Sequence, residues 1–138
     1  IQEGDCGEYW GLVGAGFDIR AKKQGEKDWV YDPGGELTTF SEKSAAGRHC
    51  MKPGNPEKPA GEWNTIDLYC VGDTAVHVVN GQVVMVLLHS RRPGASGGSE
   101  PLTKGKIQLQ SEGAEVYYRN IRILPIDRIP AAILGEKK

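Results

Sequence analysis

Ala75-Val76-His77-Val78-Val79-Asn80-Gly81-Gln82-Val83-Val84-Met85-Val86 is the stretch on which the fold turns. Asn-Gly between two β-branched runs is the strongest short-range hairpin signal, because both central turn positions need positive φ. With Asn80-Gly81 as a two-residue turn, Val79 faces Gln82, Val78 faces Val83, His77 faces Val84 and Val76 faces Met85. One face of the hairpin then carries Val76, Val78, Val83 and Met85 and is wholly apolar. The other carries Ala75, His77, Val79, Gln82 and Val84 and is mixed. A sandwich strand keeps one face in the core and one that water or a ligand reaches. His77 belongs to the second.

Upstream, Trp63 to Val71 alternates, with Ile66, Leu68 and Cys70 on one face and Thr65, Asp67, Tyr69 and Val71 on the other, until Gly72-Asp73 breaks the run. Downstream, Lys106 to Gln110 alternates around Ile107 and Leu109, and Ser111-Glu112-Gly113 turns the chain into a last strand over Glu115 to Leu124. That strand changes parity, with Val116 and Tyr118 on one face and Ile121 and Ile123 on the other. The change predicts a bulge near Arg119-Asn120 or cover on both faces. Gly11 to Ile19 supplies one or two short strands. Gly25 to Asn55 reads as a long excursion with a turn at Asp32-Pro33-Gly34-Gly35, and Arg91 to Glu100 as a flexible loop. No window carries a sustained helical period, and no internal repeat is present.

Nineteen glycines and eight prolines are spread along the 138 residues between short apolar segments, the mark of a sandwich or barrel. The expected architecture is therefore all-β, a sandwich or barrel over residues 1–125, followed by a tail over 126–138 that is loose or weakly helical from Ala131 to Lys138. The length fits one domain. A net charge of −1 and a pI near 6.3 give no electrostatic reason to expect nucleic acid or a membrane as partner. No apolar run approaches the roughly 20 residues that span a bilayer. Cys6, Cys50 and Cys70 lack metal-ligand spacing; one disulfide with a spare thiol and three buried thiols are both compatible with them. Ile1-Gln2-Glu3 reads as the middle of something, which suggests strands preceding Ile1. One sheet is then expected to show an edge that is unpaired, or covered by those strands or by a second chain.

Four segments come in a fixed order: Gly61-Glu62-Trp63-Asn64, His77-Val78-Val79-Asn80-Gly81, Gly105-Lys106-Ile107-Gln108-Leu109-Gln110 and Tyr118-Arg119-Asn120-Ile121-Arg122-Ile123. Together they resemble the 3-keto-disaccharide hydrolase domain family, whose members are similar to concanavalin A-like lectins and glucanases. The opening Ile1-Gln2-Glu3-Gly4-Asp5-Cys6-Gly7 resembles the strand and turn that carry a Gln-rich motif in that family. The resemblance implies a two-sheet antiparallel jelly-roll sandwich, concanavalin A-like, here without some N-terminal strands, in a secreted or periplasmic protein. Its partner would be an oligosaccharide or glycoside, and its activity the cleavage of glycosides oxidised at C3 of the sugar. A C3 ketone acidifies the C2 proton, so a positioned base removes it and the C1 substituent leaves by elimination. Such a site needs a base near neutral pKa and a donor or cation for the enolate oxygen. A non-catalytic carbohydrate-binding domain is the alternative, since these sandwiches host both.

His77 is the first candidate for the base, because imidazole changes charge near neutral pH; a histidine filling the less apolar hairpin face is the competing reading. Glu112 and Glu3 are the candidate catalytic carboxylates, with Glu3 and Asp5 also readable as calcium ligands, so a divalent metal is left open. Gln108 and Gln110 suit sugar hydroxyls with their amide donors and acceptors. Arg119 suits a carbonyl oxygen through its fixed donors, and Trp10 and Trp29 suit the face of a pyranose ring. His49 and His89 are expected at the surface.

Overall fold

The structure, a computed structural model, describes residues 4–109, 111, 113 and 115–135. It is all-β but for one helical turn. The strands are β1 (Tyr9–Trp10), β2 (Gly16–Gln24), β3 (Asp28–Tyr31), β4 (Glu36–Phe40), β5 (His49–Cys50), β6 (Ile66–Val71), β7 (Thr74–Val79), β8 (Gln82–Pro93) and β9 (Ser99–Pro101), with α1 at Ala131–Leu134. A seven-stranded sheet runs β3-β2-β8-β7-β6, with β4 also on β2 and β9 also on β8; β1 and β5 form a second, two-stranded sheet. All of these pairings are antiparallel, the arrangement of a β-sandwich.

The hairpin forms as its turn chemistry dictates. Asn80 and Gly81 have φ of 50° and 79°, and Val79 faces Gln82 while Val78 faces Val83. Beyond that point the expected register is corrected. A bulge makes Val84 the extra residue, so His77 faces Met85 and Val76 faces Val86. Bulging shifts the parity of every later residue on the strand. Met85 accordingly leaves the layer of Val76, Val78 and Val83, and Val86 takes its place. His77 still points away from Val78.

The bulge lets one long strand serve two apolar layers. Met85 and Leu87 pack with Tyr9, Ile19, Tyr31, Phe40 and Cys50. On the other side Val76 and Val78 are covered by Ile129, with Ile133 and Leu134 of α1 partly packed against them. The tail thus carries a buried isoleucine ahead of its weakly helical stretch. Gly25 to Asn55 is likewise no mere excursion, since it contains β3, β4 and β5.

Two other expected strands do not form among the described residues: neither the stretch from Lys106 nor that from Glu115 to Leu124 joins a sheet, and Ile107, Ile121, Ile123 and Leu124 are exposed. Alternation gives a segment strand tendency, but a strand exists only where a neighbouring edge takes its backbone hydrogen bonds. β6 pairs only with β7, so its outer edge is free among the described residues, and Ile66 and Leu68 are half exposed.

Within the larger core the Tyr9 ring packs edge-on against Phe17 at 4.8 Å. Its hydroxyl is buried with no hydrogen-bond partner among the described residues. A buried orphan hydroxyl costs about 1–3 kcal/mol of desolvation. Tyr9→Phe keeps the ring and removes that cost, so its urea midpoint is expected to equal or exceed that of the native chain. A drop of more than ~1 kcal/mol would show that the hydroxyl has a partner.

Candidate functional site

The segment from Gly4 to Trp10 lies as a strap across the hairpin face that the sequence leaves mixed. Glu57 holds it by accepting the Gly4 and Cys6 backbone N–H groups at 3.1 and 2.7 Å. Lys52 donates to the Gly4 carbonyl and, at 3.2 Å, to the Glu57 carboxylate. The Lys52 side chain is 1% exposed and that of Glu57 10%. A buried pair is tolerable only when its remaining polar groups are satisfied, and here the strap backbone satisfies them. Burial pushes the nearby Cys6 thiol pKa up, the Glu57 charge adds to the rise, and Lys52 opposes it.

Gly7 lies at the closest approach. Its φ is 90°, and a Cβ there would sit 2.6 Å from a Val84 methyl and 2.9 Å from a Val79 methyl. Val79 and Val84 are consequently fully buried under the strap, while His77 on the same face stays partly exposed. The absence of a side chain brings the Gly7 carbonyl to 2.9 Å from His77 Nδ1. A carbonyl only accepts, so Nδ1 carries the proton and Nε2 of the neutral ring is left with its lone pair. Burial lowers the His77 pKa below its ordinary 6.5, and the Gly7 bond opposes that only in part. His77 is neutral at pH 7.

A stability consequence follows. The folded pKa lies below the unfolded one, so around and below pH 6.5 the unfolded chain binds more protons. The contribution of His77 is present above pH 6.5 and is lost as pH falls towards the folded pKa. Urea unfolding from pH 5 to 8 should show this slope in the native chain and a shallower one in His77→Gln. Equal slopes would remove His77 as its source.

The strap runs on into β1. There Glu8 meets His49 Nε2 at 2.8 Å, and Trp10 stacks on the His49 ring at 3.9 Å between centroids. One face of Trp10 is therefore taken by protein. His49 itself is partly exposed, and His89 more so. Arg119 lies over the Trp63 ring, 3.8 Å from its centroid, a cation–π pair. Gln108 is exposed on the irregular C-terminal stretch. Trp29 is half-buried, edge-on to Phe40 at 6.1 Å, in the wall of a cleft. Glu3, Gln110 and Glu112 lie outside the described residues. Cys6, Cys50 and Cys70 are free thiols, that of Cys50 pushed up to about 12 by burial and the Glu8 charge. Among the described residues no three His, Cys, Asp or Glu side chains are grouped to hold a metal ion.

One constellation escapes a reading of the sequence. Asp18 of β2 accepts from His89 Nδ1 at 2.8 Å, from Arg91 at 2.7 Å and from the Thr39 hydroxyl at 2.8 Å. Partial burial raises the Asp18 pKa, but the hydrogen bonds from Arg91, Thr39 and His89 outweigh it and hold the carboxyl below its usual value. The β2–β8 register shifts at this point, and His89 has φ of 50°. A non-glycine residue held there at a bulge is aimed outwards at a cost in strain. The only sequence trace is the polar His89-Ser90-Arg91 after the apolar run of β8. The partners on β2 and β4 are some 50 to 70 residues away.

The fold and this neutral histidine under the strap define an all-β domain with a candidate base. The chain belongs to the 3-keto-alpha-glucoside-1,2-lyase-like domain family, whose model matches residues 4–124. No curated protein and no solved structure matches it.

Proposed function

We propose that this domain cleaves glycosides already oxidised at C3, with His77 as the base. Nε2 takes the C2 proton, and the C2–H electron pair delocalises onto the C3 carbonyl oxygen as an enolate. Collapse of the enolate forms the C1=C2 double bond and expels the C1 oxygen with its bonding pair, which is then protonated. Water adding across C1=C2 completes a net hydrolysis. The observation that carries this reading is the Gly7 carbonyl on His77 Nδ1, because it leaves a neutral lone pair on Nε2 at working pH. The family assignment supports the substrate class.

A second reading keeps the reaction and moves the base to His89. It is favoured by the Asp18–His89 pair, which orients an exposed imidazole beside the Arg91 guanidinium. The test compares a 3-keto-glucoside with the unoxidised glucoside, using the native protein, His77→Gln and His89→Gln. Only the keto sugar has an acidified C2 proton, so only it should react, and only His77→Gln should abolish the reaction. Equal turnover of both sugars would point to ordinary glycosidase chemistry. Loss in His89→Gln alone would select the second reading.

A further inference from the structure

A cleft of about 590 Å³ lies away from His77, at the β3–β4 end of the sheet. Trp29 stands in its wall, with Lys23, Glu26, Lys27, Thr38 and Ser44 around it. The indole is firmly placed. Lys23 lies directly opposite it on β2, and the Trp29 carbonyl accepts the Met51 N–H at 2.9 Å on the other edge. Its ring meets Phe40 at 90°. A rigid, half-exposed aromatic in a concave wall with a few polar groups around it has the make-up of a ligand site.

The polar groups select the ligand. The Thr38 hydroxyl donates to the Glu36 carbonyl, and the Ser44 hydroxyl lies within hydrogen-bonding distance of the Ser41 and Gly47 carbonyls. Their protons are already committed. The side-chain cations in the lining are the ammonium groups of Lys23 and Lys27, neither of which forms an ion pair among the described residues, unlike Lys22 with Asp32 at 2.5 Å. Two free cations face one carboxylate, Glu26. We infer that this cleft is an accessory binding site for acidic saccharides, in which a pyranose face stacks on Trp29 and a sugar carboxylate meets Lys23 and Lys27. The site is independent of the base and reaction proposed above.

Titration of the 15N-labelled chain with tetragalacturonate, and separately with maltotetraose, tests this. The indole N–H signal of Trp29 is identified by its loss in Trp29→Phe. Tetragalacturonate should shift that signal saturably while the His77 ring signals stay still. Added salt should weaken binding, and a Lys23→Gln/Lys27→Gln variant, whose packing is untouched, should weaken it roughly tenfold. No shift at Trp29 with either probe would overturn the site. Equal binding of maltotetraose, or no change in the double variant, would overturn the assignment to acidic saccharides.

Discussion

His77→Ala is expected to lower kcat/KM on a 3-keto-glucoside by ~100-fold or more, the usual contribution of a positioned general base. The pH profile sharpens the expectation. The His77 pKa is lowered by burial, so the native rate should rise with pH through a limb lying below 6.5 and be level from neutral pH upwards. The variant should lose that limb. His77→Gln separates chemistry from packing, because its amide N–H can still donate to the Gly7 carbonyl while no atom of it accepts the C2 proton. It should keep the native urea midpoint at pH 7 and lose the rate. A glutamine variant with native turnover would end the assignment.

Glu57→Ala should be the most destabilising single change at the strap, at about 3–5 kcal/mol. It leaves the buried Lys52 ammonium without its counter-charge and the Gly4 and Cys6 N–H groups without an acceptor. Glu57→Gln retains an acceptor for the two N–H groups and should cost less. The loss is read from urea midpoints with the slope unchanged. A second readout ties the pair to the site. If Lys52 and Glu57 hold the strap down, Glu57→Ala weakens the Gly7 cover over His77, and the imidazole pKa, followed by NMR, rises towards 6.5. A loss below ~1 kcal/mol would mean that the strap is held by other contacts.

Residues within a few positions of one another carried most of what was legible. Asn80-Gly81 required its turn, since few residue pairs accept positive φ twice. The alternation around it placed His77 and Val78 on opposite faces, and spaced glycines between short apolar runs implied an all-β chain. The four ordered segments pointed to the family that the match over residues 4–124 then showed. The face of His77 was readable; its tautomer was not. The oxygen that sets it belongs to Gly7, 70 residues upstream.

Contacts distant in sequence decided the remainder. The bulge at Val84 reassigned Met85, because a twelve-residue strand that serves two apolar layers must change parity somewhere along its length. Ile107, Ile121 and Ile123 have the pattern of strands, yet pattern supplies no hydrogen-bonding edge, and they stay exposed. Asp18 with His89, and Lys52 with Glu57 and Gly4, leave no periodic trace. Pairs of charges are selected by geometry across strands and loops, where the only local requirement is a polar residue. Turn conformation and face are properties of a residue and its neighbours. Partner, burial and protonation belong to the folded chain, because each depends on what the rest of the molecule places within a few ångströms.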